Sequence, residues 1–183
     1  MFKPHYWYHG NHAMPSEKLN DIFSLVNNTD VKKLLDEDKN HLTTYHTDNV
    51  NINDFFDEYY NKIGTQIIKK AGLYTVTKFD VLFWSQIYSK LMNHSAHNHT
   101  GFNLDNDGKL DALLSWVHFL KVPEQKCFKF TDSEGNNSFY PDEQNSGDII
   151  YFPSWAYHEI DPNRSDDLRV VIAGNITVTE CLD

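Results

Sequence analysis

Residues 147–158 read Gly147-Asp148-Ile149-Ile150-Tyr151-Phe152-Pro153-Ser154-Trp155-Ala156-Tyr157-His158. A glycine opens the stretch, a short apolar run of β-branched and aromatic side chains follows, and a proline closes it. A run of this length and content reads as a buried strand. Outward from it the texture repeats at 74–76, 81–88, 113–122, 127–130 and 168–178. Turn residues separate these runs at 103–108, 133–137, 145–147 and 161–163. The Asn- and Asp-rich segment 103–111 reads as a loop.

Upstream the period changes from strand to helix. Pro15-Ser16 precedes Leu19, Ile22, Phe23 and Val26, an apolar stripe at helical spacing that stops at Asn27-Asn28. The piece 31–35 adds a turn or two. Asn53 looks like the N-cap of a longer helix carrying Phe55, Phe56, Tyr59, Tyr60, Ile63 and Ile67, and Gly72 sits where a C-terminal glycine belongs. Helices first and many short strands afterwards imply an α+β chain, mainly β, with a sandwich or barrel core. The expected organisation is one domain over 1–183, with 1–73 a mainly helical flank and 74–180 the β core.

Composition narrows the function classes. The formal charge is −10, from 26 acidic and 16 basic side chains, and the Lys and Arg are scattered. No basic stripe tracks a phosphate backbone, so nucleic acid is not an expected partner. A hydrophobic fraction of 40% suits a sizeable core. Cys127 and Cys181 have no metal or redox spacing and read as reduced thiols. Neither a signal-like stretch nor a membrane span is visible, so a cytoplasmic protein is expected.

Ten histidines are many for this length. His5, His9, His12, His41 and His46 lie in polar surroundings and read as surface or cap residues. The cluster His94-Ser95-Ala96-His97-Asn98-His99 differs, because strand residues two apart share a face and can aim two imidazoles at one point. His158 follows just past the buried-looking run. Two ligands close together and one distant is the layout of a facial metal site in a barrel mouth. Zinc could use the same ligands. A polar loop without metal is the plain alternative. From residue 168 alternation puts Leu168, Val170, Ile172 and Ile176 on one face, and Arg169, Val171, Ala173 and Asn175 on the other. An Arg among small neighbours can reach into a barrel lumen, where its planar fork matches a carboxylate. Otherwise it pairs at the surface with Asp166 or Asp167. Trp116, Trp155 and His118 read as packing residues.

A longer pattern links these pieces. Trp84-Ser85-Gln86-Ile87-Tyr88 is followed nine positions on by His97-Asn98-His99-Thr100-Gly101, and then by Leu114-Ser115-Trp116-Val117-His118-Phe119-Leu120-Lys121-Val122-Pro123. With the 147–158 motif, Arg169 and Asn175, this resembles a group of 2-oxoglutarate/Fe(II) oxygenases common in bacterial and phage genomes. The resemblance covers about residues 80–178. It implies a double-stranded β-helix (a jelly-roll, cupin-like core) and Fe(II) on His97, His99 and His158. It also implies 2-oxoglutarate held by Arg169, with Tyr88 and Asn175 as further contacts. The implied reaction consumes O2, releases succinate and CO2, and hydroxylates an amino-acid side chain or small molecule that the sequence does not name.

Three departures accompany the resemblance. The wider superfamily uses His-x-Asp/Glu rather than His-x-His. Residues 102–112 look like an insertion. Relatives often carry Ser where this chain has Val171. A shifted frame, His94-Ser95-Ala96, would match related halogenating enzymes in which chloride replaces the carboxylate; the interval from Tyr88 and the following Thr100-Gly101 favour His97-x-His99. The rival readings are a cupin-like barrel holding Zn or Ni for hydrolysis, isomerisation or binding, and a catalytically silent viral structural protein.

Overall fold

The computed structural model describes residues 2–28, 35, 40–45, 54–100, 112–123 and 126–182. The expected turn at 31–34, the Asn53 cap, His46 and all but Ala112 of the expected insertion lie outside these residues. The elements in chain order are β1 (Trp7–Asn11), α1 (Ser16–Asn28), β2 (Leu42–Thr43), α2 (Asp54–Lys70), β3 (Val76–Tyr88) and β4 (His94–His97). There follow β5 (Leu114–Lys121), β6 (Phe128–Thr131), β7 (Ser138–Phe139), β8 (Asp148–Pro153), β9 (His158–Ile160) and β10 (Arg169–Cys181). The strands form two sheets, a larger one ordered β1-β8-β5-β10-β3-β2 and a smaller one ordered β4-β9-β6-β7. All the strand pairings are antiparallel.

The apolar runs are continuous because the larger sheet is covered on both faces. Along β5, Leu114, Trp116 and Leu120 join the helices in one core with Ile22, Phe56, Tyr60, Ile63 and Ile67. Val117 and Phe119, pointing the other way, join Phe128, Phe130 and Phe152 between the sheets. Adjacent Ile149 and Ile150 on β8 split the same way. Burying one such side chain is worth about 1.5–3 kcal/mol, a sizeable share of a typical net stability of about 5–15 kcal/mol. Two glycines allow close layers. A Cβ on Gly64 of α2 would lie 2.6 Å from Val81, and one on Gly174 of β10 would lie 2.3 Å from the Trp116 ring. The C-terminus of α2 closes as expected: Gly72 has φ +73°, its N–H donates to Lys69 O, and Leu73 N–H donates to Ile68 O.

Several expectations need correction. The flank 1–73 supplies two strands as well as helices, because β1 pairs with β8 and β2 with β3 at the two edges of the larger sheet. These are only five and two residues long, too short to show a period, so their pairing is not readable from their own pattern. His9 and His41 are consequently buried, not on the surface. His9 shares a hydrogen bond with Gln66 on α2 at 3.0 Å, and the Lys70 ammonium donates to the His9 carbonyl. Of the expected strand at 74–76 only Val76 is extended, as the first residue of β3; Tyr74 and Thr75 form the turn before it, leaving Tyr74 exposed. Trp155 is 59% exposed rather than packed, because it sits in the turn between β8 and β9. Trp116 and His118 are core residues as expected. Both cysteines are free. Among the described residues no helix is long and apolar enough to cross a membrane.

Candidate metal centre

Three of the histidines meet at one end of the space between the sheets. Strand β4 pairs antiparallel with β9, and their register sets His97 opposite His158. His99 does not share a strand with His97 as the spacing suggested. The pairing of β4 is irregular between His94 and His97 and the strand ends at His97. His99 reaches the cluster instead through its backbone N–H, which donates to Ser154 O at 2.9 Å. His97, His99 and His158 each offer a ring nitrogen, and those nitrogens lie within 4.8 Å of one another.

The tautomers of two rings follow from their partners. His97 Nδ1 lies 2.8 Å from Ser95 O and His158 Nδ1 lies 2.9 Å from Ala156 O. A carbonyl only accepts, so Nδ1 carries the hydrogen in both rings and Nε2 keeps its lone pair. Burial pushes all three rings below the ordinary histidine range. His99 falls to about 3, from desolvation first and then the nearby His97; His158 falls well below 6.5, from desolvation and then His97 and His99. His97 is lowered by burial, partly offset by its bond to Ser95. The cluster therefore presents neutral imidazoles, the state in which histidine binds a metal. Trp84, Phe128, Phe152, Ala173, Gln86 and Ser115 complete the wall around it.

His94 lies beside the trio rather than in it. Its ring centroid is 3.9 Å from that of His97, and its Nδ1 is 3.2 Å from the Gln86 amide nitrogen. Gln86 in turn accepts from the Tyr88 hydroxyl at 3.1 Å, and His41 stacks on Tyr88 at 5.2 Å. Sequence reasoning missed Gln86 and His41. Gln86 was available from the alternation Trp84, Gln86, Tyr88 along β3; His41 carried no local signal.

Arg169 is fully buried and donates from Nη1 to Asp161 O at 2.7 Å. Asp166 and Asp167 lie at the surface beside Lys90 and Lys121. The expected faces of β10 hold: Val170, Ile172 and Ile176 meet the helices, while Val171 packs between the sheets. Asn175 reaches towards His99, its Nδ2 at 3.5 Å from His99 Nδ1, and its Oδ1 accepts from Ser115 Oγ at 2.8 Å.

No protein-family model and no curated protein matches the sequence. Solved structures match its fold over nearly its whole length. A Pseudomonas putida prolyl-4-hydroxylase aligns with TM-score 0.61 at 13% identity, covering 96% of this chain and 93% of that one. The viral collagen prolyl hydroxylase from Paramecium Bursaria Chlorella virus-1, in its 2OG complex, gives 0.62 at 15% identity with 96% of each chain covered. A non-heme alpha ketoglutarate dependent carbocyclase from nogalamycin biosynthesis gives 0.65 at 11%, covering 94% and 79%. At these identities the likeness is one of fold, and the fold is the one found in these prolyl hydroxylases and this alpha-ketoglutarate-dependent enzyme.

Proposed function

We propose that this chain is a 2-oxoglutarate- and Fe(II)-dependent oxygenase acting on an amino-acid side chain or a small molecule. In this reading residues 1–183 form one domain, and β3 to β10 wind as a double-stranded β-helix. The winding is supported by strand order: without β1 and β2 the larger sheet is β8-β5-β10-β3, facing the four strands β4-β9-β6-β7. The observation that carries the function is the convergence of the His97, His99 and His158 ring nitrogens, in a chain that also buries an arginine fully at the start of β10.

His97, His99 and His158 would hold the iron. Their donor set fits, because each ring is neutral and two have Nδ1 already committed to a carbonyl. Neutral ligands leave the cation its full double charge, which suits a dianionic chelating 2-oxo acid. Arg169 would anchor the far carboxylate, because a planar guanidinium matches a carboxylate with two parallel N–H donors. Tyr88, opposite Arg169, would border that carboxylate. When bound, the iron and cosubstrate supply dioxygen activation coupled to decarboxylation, giving succinate and CO2. Trp84, Phe128 and Phe152 would keep water from the reacting centre. O2 and a prime substrate are the remaining partners, and the cytoplasm is the proposed location.

The test is succinate release from 2-oxoglutarate by the Fe(II)-loaded protein, with mass spectrometry of a host extract for a product heavier by one oxygen. A metal-loaded protein that neither binds nor consumes 2-oxoglutarate would overturn the reading. Two observations favour a second one, a Zn- or Ni-binding barrel without cosubstrate. Among the described residues the ligand set contains no carboxylate, and neither Arg169 nor Tyr88 lines the cavity around the histidines.

A further inference from the structure

The three clustered histidines differ in what holds Nδ1. His97 and His158 face backbone carbonyls, which leave them no choice of tautomer. His99 faces the side-chain amide of Asn175, 3.5 Å from Nδ1. An amide can present either end. Its NH2 would donate to Nδ1, which puts the ring hydrogen on Nε2 and removes the lone pair a metal needs there. Its carbonyl oxygen would accept from Nδ1–H and leave Nε2 ready to ligate, as in the other two rings.

The other end of the amide meets a group that serves both arrangements. Ser115 Oγ lies 2.8 Å from Asn175 Oδ1, and Ser154 Oγ lies 2.9 Å beyond it, buried in the turn just past β8. Ser115 can donate to Oδ1. After a half-turn of the amide it can accept from Nδ2 instead and pass its own hydrogen to Ser154. The row Ser154–Ser115–Asn175–His99 runs from the turn after β8 across the neighbouring strands β5 and β10, and it can keep its hydrogen bonds in both directions. Ser154 also supplies the carbonyl that receives the His99 backbone N–H, so one residue fixes both the main chain of His99 and the end of the row.

We propose that Asn175 is the positioning residue of His99: the direction of the Ser154–Ser115–Asn175 row decides whether His99 offers Nε2 as the third ligand. The assignment rests on the metal-binding reading above. It gives Asn175 to the metal centre rather than to 2-oxoglutarate, the contact its place in the sequence pattern suggested.

The experiment is titration of the metal-free protein with Co(II) alone, followed by visible absorption, with thermal melting of the metal-free protein alongside. Asn175→Ala should weaken Co(II) by about 10–100-fold while the metal-free melting temperature stays near the parent value. Asn175→Asp, which can only accept, holds His99 permanently in the ligating tautomer and should bind Co(II) at least as tightly as the parent. A merely structural asparagine would show the opposite order, since the charged variant would suffer most. Should Asn175→Ala fail to fold, the strand-compatible Asn175→Val carries the same expectation. Parent-like Co(II) affinity in the alanine variant overturns the assignment, as does an Asp variant as weak as the alanine one. Loss of 2-oxoglutarate affinity with Co(II) affinity intact returns Asn175 to the cosubstrate. A folded parent protein that takes no Co(II) overturns the metal reading itself.

Discussion

Arg169 and Tyr88 are direct partners across the β10–β3 pair, with the guanidinium carbon 5.8 Å from the centre of the phenol ring. Both side chains are fully buried. An interior arginine is tolerable only where acceptors and a polarisable surface replace its water. Here Asp161 O accepts one of its N–H groups. Asp161 is itself held by Lys129 at 2.9 Å and by the Tyr140 hydroxyl at 2.7 Å. The arginine is thus fixed before any ligand arrives.

Arg169→Leu should weaken 2-oxoglutarate while leaving metal affinity close to the parent value. Removing one partner of a buried, charged hydrogen-bonded pair costs about 2–5 kcal/mol, or roughly 30-fold and upwards in Kd. Calorimetry on the metal-loaded variant measures it, and unchanged cosubstrate affinity would remove Arg169 from the site.

The ligand set predicts a graded series. His97→Ala and His158→Ala should each abolish Fe(II) binding, His99→Ala should weaken it strongly, and His94→Ala should leave it nearly intact. His94 touches the cluster only by stacking on His97 and is not one of the three converging rings. If instead His94→Ala abolishes binding while His99→Ala keeps it, the frame is shifted by three residues and halogenating chemistry must be considered.

Acid should destabilise the metal-free protein through His118, far from the candidate ligands in sequence and on the helix-facing side of β5. Its pKa is lowered to about 4, chiefly by burial, with His12 and His9 adding repulsion against partial support from the His12 carbonyl and Asp148. The unfolded chain takes up a proton near 6.5 and the folded one does not, so stability falls as pH drops from about 6.5 towards 4. Above that window the group contributes no slope. At most His118 adds about 1.4 kcal/mol per pH unit. Urea midpoints across pH 4–7 should fall less steeply in His118→Gln; equal slopes would refute the attribution.

Gly174→Ala should destabilise the fold. The new methyl would meet the Trp116 ring at 2.3 Å and Leu82 O at 2.7 Å, and the backbone oxygen cannot move aside cheaply. Overpacking of this kind costs about 1–3 kcal/mol, so the melting temperature should fall by roughly 2–12 °C. Trp116→Leu in the same chain should recover part of the loss.

Local sequence determined the parts of this protein whose physics is local. The runs that became β5, β8 and the core of β10 are apolar on consecutive residues because both faces of their sheet are covered. The end of α2 was visible because Gly72 adopts a φ that other residues resist. The alternation along β10 already separated Arg169, Val171 and Asn175 from Val170, Ile172 and Ile176, since a strand has a period of two whatever it pairs with. What the sequence left undecided is who pairs with whom. The edge strands β1 and β2 are too short to show a period, and the burial of His9 and His41 comes from a sheet edge and a helix distant in the chain. The spacing of His97 and His99 suggested one strand face, whereas the β4–β9 register and the Ser154 carbonyl bring the rings together. Asn175 reaches His99 only through the packing of the two sheets. Side-chain periodicity fixes a face; only the register of distant strands fixes which residues share it, and register is a property of the closed fold.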